Sequence, residues 1–312
     1  LRGYNVLAGG GMGTTHGDFA TWPRTADALG FCEPGEALAV AEAVVTTERD
    51  FGDRTNRKHA RLKYTIEDMG LARFRAEVEQ RSGVALTPAR DVRFSDSGDR
   101  APGWHADDQG LWHYLLHVPA GRVLDREGWQ ALAGLRAIAT TGQCSFRLTP
   151  NQNLLLSDVL PDNKAGIDEL LIEHGLCTTV SPIRQLALAC VGLPTCGLAM
   201  AESERYAPEF LGKLEQHLSR HGLSDAGIHV RITGCPNGCA RPFVAEVALV
   251  GKAPGRYSVY LGGKHDGSRI NTPWRDNITE AELLSALDPL LAGYAAERLE
   301  GERFGDFLHR TG

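Results

Sequence analysis

The sequence predicts an α+β protein with pseudo-two-fold repetition, in which a ferredoxin-like α/β module lies between two copies of one repeated unit, the first copy truncated. Three observations carry this. "YNVLAGG" begins at Tyr4 and "YSVYLGG" begins at Tyr257. Each is followed by "FGD", at Phe51 and Phe304, and Gly9 to Gly52 spans the same 43 positions as Gly262 to Gly305. Between the copies, strand-like and helix-like stretches alternate in the β-α-β-α order of a small ferredoxin-like module.

Taken in order, each element has a local reason. The start, "LRGYNVLAGGG", reads as mid-strand, and the Ala/Leu-rich stretch at about 36–49 has helical spacing. "SDSGDRAPG" (95–103) is turn chemistry and reads as a linker. "GLWHYLLHVPAG" (110–121) is strand-like, "DREGWQALAGLRAIATTG" (125–142) helical, "CSFRLTPNQNLLLSDV" (144–159) strand-like and "DNKAGIDELLIEHGL" (162–176) helical. After Cys196, "LAMAESERYAPEFLGKLEQHL" reads as a helix whose N-terminal turn lies near the neighbouring cysteines. The second strand–loop–helix copy follows, with its strand from Tyr257 and its helix at about 280–300. The expected division is 1–94, 95–180 and 181–312. Since the cysteine-rich region precedes the second copy, the repeat predicts a counterpart N-terminal to Leu1.

Composition bounds the function. At 312 residues and 42% hydrophobic, the chain can bury a real core. A net charge of −6 and a pI near 6.0 argue against a nucleic-acid partner. No run of about 18 apolar residues is present, so no membrane-spanning helix is expected. The start has neither an initiator Met nor a signal-peptide layout. The seven cysteines are odd in number and the last four are grouped, which suggests reduced thiols in a cytoplasmic setting rather than a disulfide scaffold.

Those four carry the chemistry. Cys190-x5-Cys196 and Cys235-x3-Cys239 form two pairs on loops stripped of side chains by Gly192, Pro194, Gly197, Gly234, Pro236 and Gly238. Four thiolates suit a tetrahedral zinc or an iron–sulfur cluster, and four idle buried thiols are the plain alternative. The x5 spacing fits zinc poorly, and glycine-rich loops let backbone N–H groups approach cluster sulfurs. Cys32, Cys144 and Cys177 read as small buried apolar residues. "GGGMGTTHG" (9–17) misses the dinucleotide-binding spacing, because His16 stands where a glycine is required.

"ACVGLPTCGLAMAESER" followed by "RITGCPNGCARP" resembles the siroheme and 4Fe-4S signature of the sulfite/nitrite reductase family. The similarity continues through "YNVLAGGGMGTTHG", "EAVVTTERDFGDRTNRKHARLKYT", "FRLTPNQNLLL", "AEVALVGKAPGRYSVYLGG" and "GERFGDF", covering essentially the whole chain. These stretches look most like hemoprotein subunits of NADPH-dependent bacterial sulfite reductases. The resemblance implies the pseudo-two-fold sulfite/nitrite reductase architecture and six-electron reduction of sulfite to sulfide. It implies that Cys190, Cys196, Cys235 and Cys239 hold one 4Fe-4S cluster, with Cys239 also bridging to siroheme iron. Electrons would come from an NADPH-dependent flavoprotein subunit, or from ferredoxin in a related branch of the family. A non-catalytic iron–sulfur or zinc-binding relative is the reading from another class.

Siroheme carries eight carboxylates, so the resemblance also implies a cationic pocket. "DRTNRKHARLK" (53–63) supplies Arg54, Arg57, Lys58, Arg61 and Lys63, a run that could equally be a solvated face. The resemblance makes Lys63 and Arg61 carboxylate partners through charge-assisted hydrogen bonds. It brings Arg147, Asn151 and Asn153 of "RLTPNQNLLL" into the siroheme pocket, with Asn237 placed to donate to a sulfur or a carboxylate. Most residues gripping sulfite itself would lie in the half preceding Leu1, and the chain stops slightly short of the family's usual end.

Overall fold

The computed structural model describes residues 2–92, 94, 98–177 and 179–312. Strand β1 (Tyr4–Ala8) pairs antiparallel with β2 (Asp27–Cys32) across a long glycine-rich loop, with a bulge between Val6 and Leu7. Helices α1 (Ala37–Phe51), α2 (Leu62–Met69) and α3 (Leu71–Ser82) follow. They bury Val40, Ala43, Ile66, Phe74 and Val78 against Leu29 of β2.

The middle of the chain builds a four-stranded antiparallel sheet in the order β3-β4-β8-β7, from β3 (Gly103–Ala106), β4 (Trp112–Leu116), β7 (Ser145–Leu148) and β8 (Leu154–Val159). A short pair, β5 (Asp125–Arg126) with β6 (Trp129–Gln130), leads into helix α4 (Ala131–Thr141), and α5 (Lys164–Glu173) follows β8. Leu116 and Leu156 from the sheet meet Ile138, Ile167 and Leu171 from the helices.

The last part begins with the short helix α6 (Pro182–Leu186), strand β9 (Leu188–Ala189) and helix α7 (Ala207–Arg220). Strands β10 (Val230–Thr233), β11 (Val247–Ala253), β12 (Arg256–Leu261) and β13 (Thr272–Ile278) complete a sheet in the order β13-β12-β11-β10-β9. β9, β10 and β11 run parallel, and β11 to β13 antiparallel. α8 (Glu280–Glu297) opens on a Thr279/Glu282 capping box, and α9 (Phe304–Thr311) closes the chain. In α7 the buried residues Phe210, Leu211, Leu214 and Leu218 form one helical stripe against the sheet. β10, between two parallel neighbours, is buried at every residue.

The α+β class holds, and the repeat is visible as strand, glycine-rich loop, strand and two helices: β1-β2-α1-α2 and β12-β13-α8-α9. Gly9 and Gly262 end the first strand of each copy with similar positive φ, +81° and +86°. The equal spacing to "FGD" is a coincidence of length, because Phe51 ends α1 whereas Phe304 begins α9. The unit also contains a second strand that the sequence reading lacked. The stretch 144–159, read as one strand, is a hairpin. Thr149 Oγ1 accepts the Asn151 and Asn153 N–H groups, and Gln152 takes a left-handed φ of +67°. Of the expected linker 95–103, residues 95–97 lie outside the described residues, and Gly103 already belongs to β3.

Candidate metal centre

Parallel pairing delivers the cysteines. Arg231 and Ile232 of β10 pair with Leu188 and Ala189 of β9, so both strands end at the same edge. β9 runs into Cys190 and β10 into Gly234 and Cys235. The Gly234 N–H then donates to Cys190 Sγ at 3.1 Å, and Thr233 Oγ1 lies 3.6 Å from the same sulfur.

The segment after Cys190 folds back over this edge. Met200 and Ala201 N–H groups donate to Gly234 O, Leu193 N–H to Ala201 O, and Glu204 N–H to Cys190 O. Its backbone is committed to the other cysteine loop, so the helix expected directly after Cys196 begins only at Ala207. Arg122 from the middle module donates to the Glu204 carboxylate and fastens the loop from outside.

Cys235 is buried, Cys190 and Cys196 are half-buried, and Cys239 is exposed. Burial pushes the Cys235 thiol up, and the negative charge of Cys190, Cys239 and Cys196 nearby adds to this; the Asn237 N–H pulls the other way. All four sulfurs therefore share one electrostatic neighbourhood, yet no three lie within 4.8 Å of one another. Cys32 is buried, as expected, but Cys144 is only half-buried and Cys177 is exposed beside the Tyr114 hydroxyl, against the sequence reading.

The glycine-rich loop after β1 lies against the second cysteine pair. Thr14 N–H donates to Pro236 O at 2.9 Å. A Cβ on Gly13 would stand 3.1 Å from Asn237 O, a tight approach, and 2.4 Å from Arg61 Nη1, the movable end of that side chain. Asn237 is itself exposed on the turn between Cys235 and Cys239. Arg61 is also exposed, reaching Gly13 O at 3.5 Å.

Lys63 differs from expectation. It is 1% exposed, and its ammonium donates to the carbonyls of Gly11, Gly13 and Trp22. Three acceptors occupy its three N–H groups, so it holds the loop rather than facing outward. Burial, with Arg61 and Arg24 nearby, pushes it down to about 8. The unfolded side chain titrates near ~10.4, so between about pH 8 and 10 the unfolded chain binds more protons and this group's contribution to stability rises with pH. Thermal unfolding of wild type and Lys63→Met is expected to show wild type gaining on the variant from about pH 8 upward. A pH-independent difference would contradict this. Of the remaining cations, Arg54 caps the end of α1, Lys58 pairs with Asp18, and Arg57 is exposed.

The turn 149–153 grips both cysteine segments, a role the sequence did not reveal. The Gln152 amide donates to Ala189 O at 2.8 Å and accepts from Ala189 N–H at 3.3 Å, one residue before Cys190. Two residues after Cys239, the Arg241 guanidinium donates to Pro150 O and to Asn151 Oδ1 at 3.0 Å. Asn151 and Asn153 both donate to Asp99, and Asn153 Oδ1 accepts the Val118 N–H, so Asn153 is a buried structural amide. Arg147 forms a two-point ion pair with Asp158 of the neighbouring strand. Gln152→Ala is expected to lower stability by about 1–2 kcal/mol, read as a shift of the urea midpoint, because it leaves both Ala189 groups without their partners.

Arg231 was also missed. It is 2% exposed, donates to Arg241 O at 3.0 Å, and is pushed down to about 10 by burial and by the Arg241 charge. The only sequence cue is a charge inside an otherwise uncharged buried strand.

Another cluster of ligand-type side chains within 4.8 Å is the buried trio His229, Glu246 and His265. Glu246 Oε2 accepts the His229 N–H at 2.8 Å and lies 3.1 Å from His265 Nδ1, while Oε1 accepts the Gly305 N–H at 2.8 Å. The two imidazoles stack at 4.0 Å. Near-parallel rings aim their nitrogens poorly at a common ion, and protein donors already surround the carboxylate. The trio is a structural knot joining β10, the loop after β12 and α9. Gly305 belongs to it, since a Cβ there would meet Gly263 O at 1.9 Å.

Residues 1–86 match the nitrite and sulphite reductase 4Fe-4S domain, and residues 105–174 match the nitrite/sulfite reductase ferredoxin-like half domain. A Myxococcus xanthus protein named sulfite reductase (NADPH) hemoprotein beta-component is 56% identical over the whole chain, which covers 56% of that protein. Proteins of the same name from Methylobacterium sp. and Xylella fastidiosa are 54% and 53% identical, with 52% and 55% of their lengths covered. The chain thus spans about half the length of these relatives. The solved Mycobacterium tuberculosis NirA protein superposes with a TM-score of 0.82 at 28% identity, over 99% of this chain and 57% of that one.

Proposed function

Because the chain belongs to the siroheme- and 4Fe-4S-containing nitrite and sulfite reductase family, we propose that it forms the cofactor-bearing part of a sulfite reductase hemoprotein, reducing sulfite to sulfide. The observation that carries this reading is the shared edge of β9 and β10, where the two cysteine pairs meet with a backbone N–H already aimed at a sulfur. Cys190, Cys196, Cys235 and Cys239 would hold the cluster. Cys239, the exposed one, would present its outer side to siroheme iron. We take 1–94, 95–180 and 181–312 as the domains, the middle one clamping the cysteine segments of the last.

When bound, the cluster and siroheme supply a path for electrons and an iron at which sulfite is held. The chain's own groups do the rest. The Gly234 N–H and Thr233 hydroxyl stabilise negative charge at Cys190. Arg61 and Arg241 place positive charge on either side of the Cys239 loop, which suits a polycarboxylate. Lys63 fixes the glycine-rich loop whose small residues let a flat ring approach. Asn237, exposed between two ligands, is positioned to donate outward. Arg147, Asn151 and Asn153 belong in this reading to the hairpin beside the siroheme pocket, Asn151 anchoring Arg241 and Asn153 bound to Asp99 and the Val118 N–H.

The electron donor in this reading is an NADPH-dependent flavoprotein subunit, on the strength of the relatives' names; a ferredoxin is the alternative. Among the described residues no helix is long and apolar enough to cross a membrane. The test is anaerobic turnover by the full-length protein with reduced methyl viologen, followed as sulfide produced from sulfite. Stoichiometric sulfide supports the proposal. Turnover of nitrite with none of sulfite would move the assignment to the other branch of the family, and turnover of neither would favour a non-catalytic relative.

A further inference from the structure

A cavity of about 340 Å³ opens where the middle module meets α6 and the start of α7. It is separate from the Cys239 face, and its floor is β9, ending at the residue before Cys190. Trp129, Leu188 and Leu211 make apolar walls, and His117, Arg126 and Arg184 supply the polar side. Its size is at the lower end for small-molecule sites, enough for roughly ten to fifteen non-hydrogen atoms.

The polar side is unusual for a packing defect. His117 Nδ1 is buried and has no hydrogen-bond partner among the described residues. A buried polar atom without a partner normally calls for a water or a ligand. Arg184 is held by Glu215 through Nε and Nη2, at 2.9 and 2.8 Å, so its guanidinium is fixed in direction. Arg126 lies over the Trp129 ring at 4.9 Å and makes no ion pair among the described residues. Glu127 is the one carboxylate in the lining.

We propose that this cavity binds a small monocarboxylic acid with an apolar body, its carboxylate beside His117 and the two arginines and its body against Trp129, Leu188 and Leu211. The groups facing His117 set the sign of its pH response. Burial and the Arg184 charge favour the neutral ring, while Asn153 and the Asp99 charge favour the protonated one. A bound carboxylate adds negative charge at the open nitrogen, so binding takes up a proton and tightens as pH falls. Because Ala189 at the floor is held by Gln152 and adjoins Cys190, an occupant would also stiffen the strand that positions this cysteine.

The experiment is isothermal titration of the full-length holoprotein with sodium 3-phenylpropanoate, and with 3-phenylpropanamide as its uncharged counterpart. Expected are one site per chain, at least tenfold weaker binding of the amide, and tighter binding of the carboxylate at about pH 6 than at about pH 8. His117→Leu is expected to weaken the carboxylate at least tenfold without changing the visible spectrum. If that variant does not fold, Ala187→Phe, which fills the cavity, serves in its place. No saturable binding, equal affinity for acid and amide, or unchanged affinity in the variants would overturn the proposal.

Discussion

Full-length protein carrying Cys235→Ser is expected to contain no acid-labile sulfide and almost no non-heme iron. Cys235 is the most enclosed of the four thiols, and the other three surround it electrostatically. A hydroxyl is a poor substitute for thiolate at iron, and a site this enclosed has no room for a replacement ligand. Cys190→Ser and Cys196→Ser should behave alike, because the loop that follows Cys190 folds onto Gly234 as one unit. Cys32→Ser and Cys144→Ser, remote from the strand edge, should keep full iron. Iron and sulfide analysis on the same preparations makes the comparison. Wild-type iron in Cys235→Ser would remove this residue from the ligand set.

Glu246→Ala should produce the largest loss of stability among single substitutions outside the cysteines, about 3–5 kcal/mol. The carboxylate is 0% exposed and collects the His229 N–H, the Gly305 N–H and His265 Nδ1. Removing it strands two buried backbone donors and takes away the acceptor beside His265 Nδ1. Glu246→Gln keeps an acceptor for one backbone donor and should lose less. Urea midpoints measured at constant slope test both. A loss below about 1 kcal/mol for the alanine variant would mean that the knot is relaxed by water, and that α9 is held by its apolar contacts alone.

What could be read from the sequence was local. The cysteine pairs were visible because each is a few residues long, and their glycines and prolines showed that side chains were being kept away. The strand at Tyr4 and its copy at Tyr257 were visible because alternation and a glycine pair survive in both. Lys63 was read, through the family resemblance, as a partner of siroheme carboxylates, and nothing in its basic run marks it as buried. Its burial depends on a loop fifty residues away whose carbonyls converge on it. Gln152 was read with its neighbours as part of the siroheme-pocket stretch, and only tertiary structure shows that its amide completes the edge of β9. The hairpin at 144–159 was read as one strand although "TPNQN" carries turn chemistry, and Thr149 and Gln152 reverse the chain there. The "FGD" spacing misled because a count of residues does not distinguish the end of one helix from the start of another.

The central claim is that four cysteines hold one cluster and that the exposed one, Cys239, shares its sulfur with siroheme iron. The most direct test is the anaerobic visible spectrum of the full-length protein, with iron and sulfide analysis, beside Cys239→Ser. The account predicts siroheme bands with one 4Fe-4S cluster per siroheme in the wild type, and displaced or missing siroheme bands in the variant. Zinc in place of iron, or siroheme bands unchanged in Cys239→Ser, would contradict it.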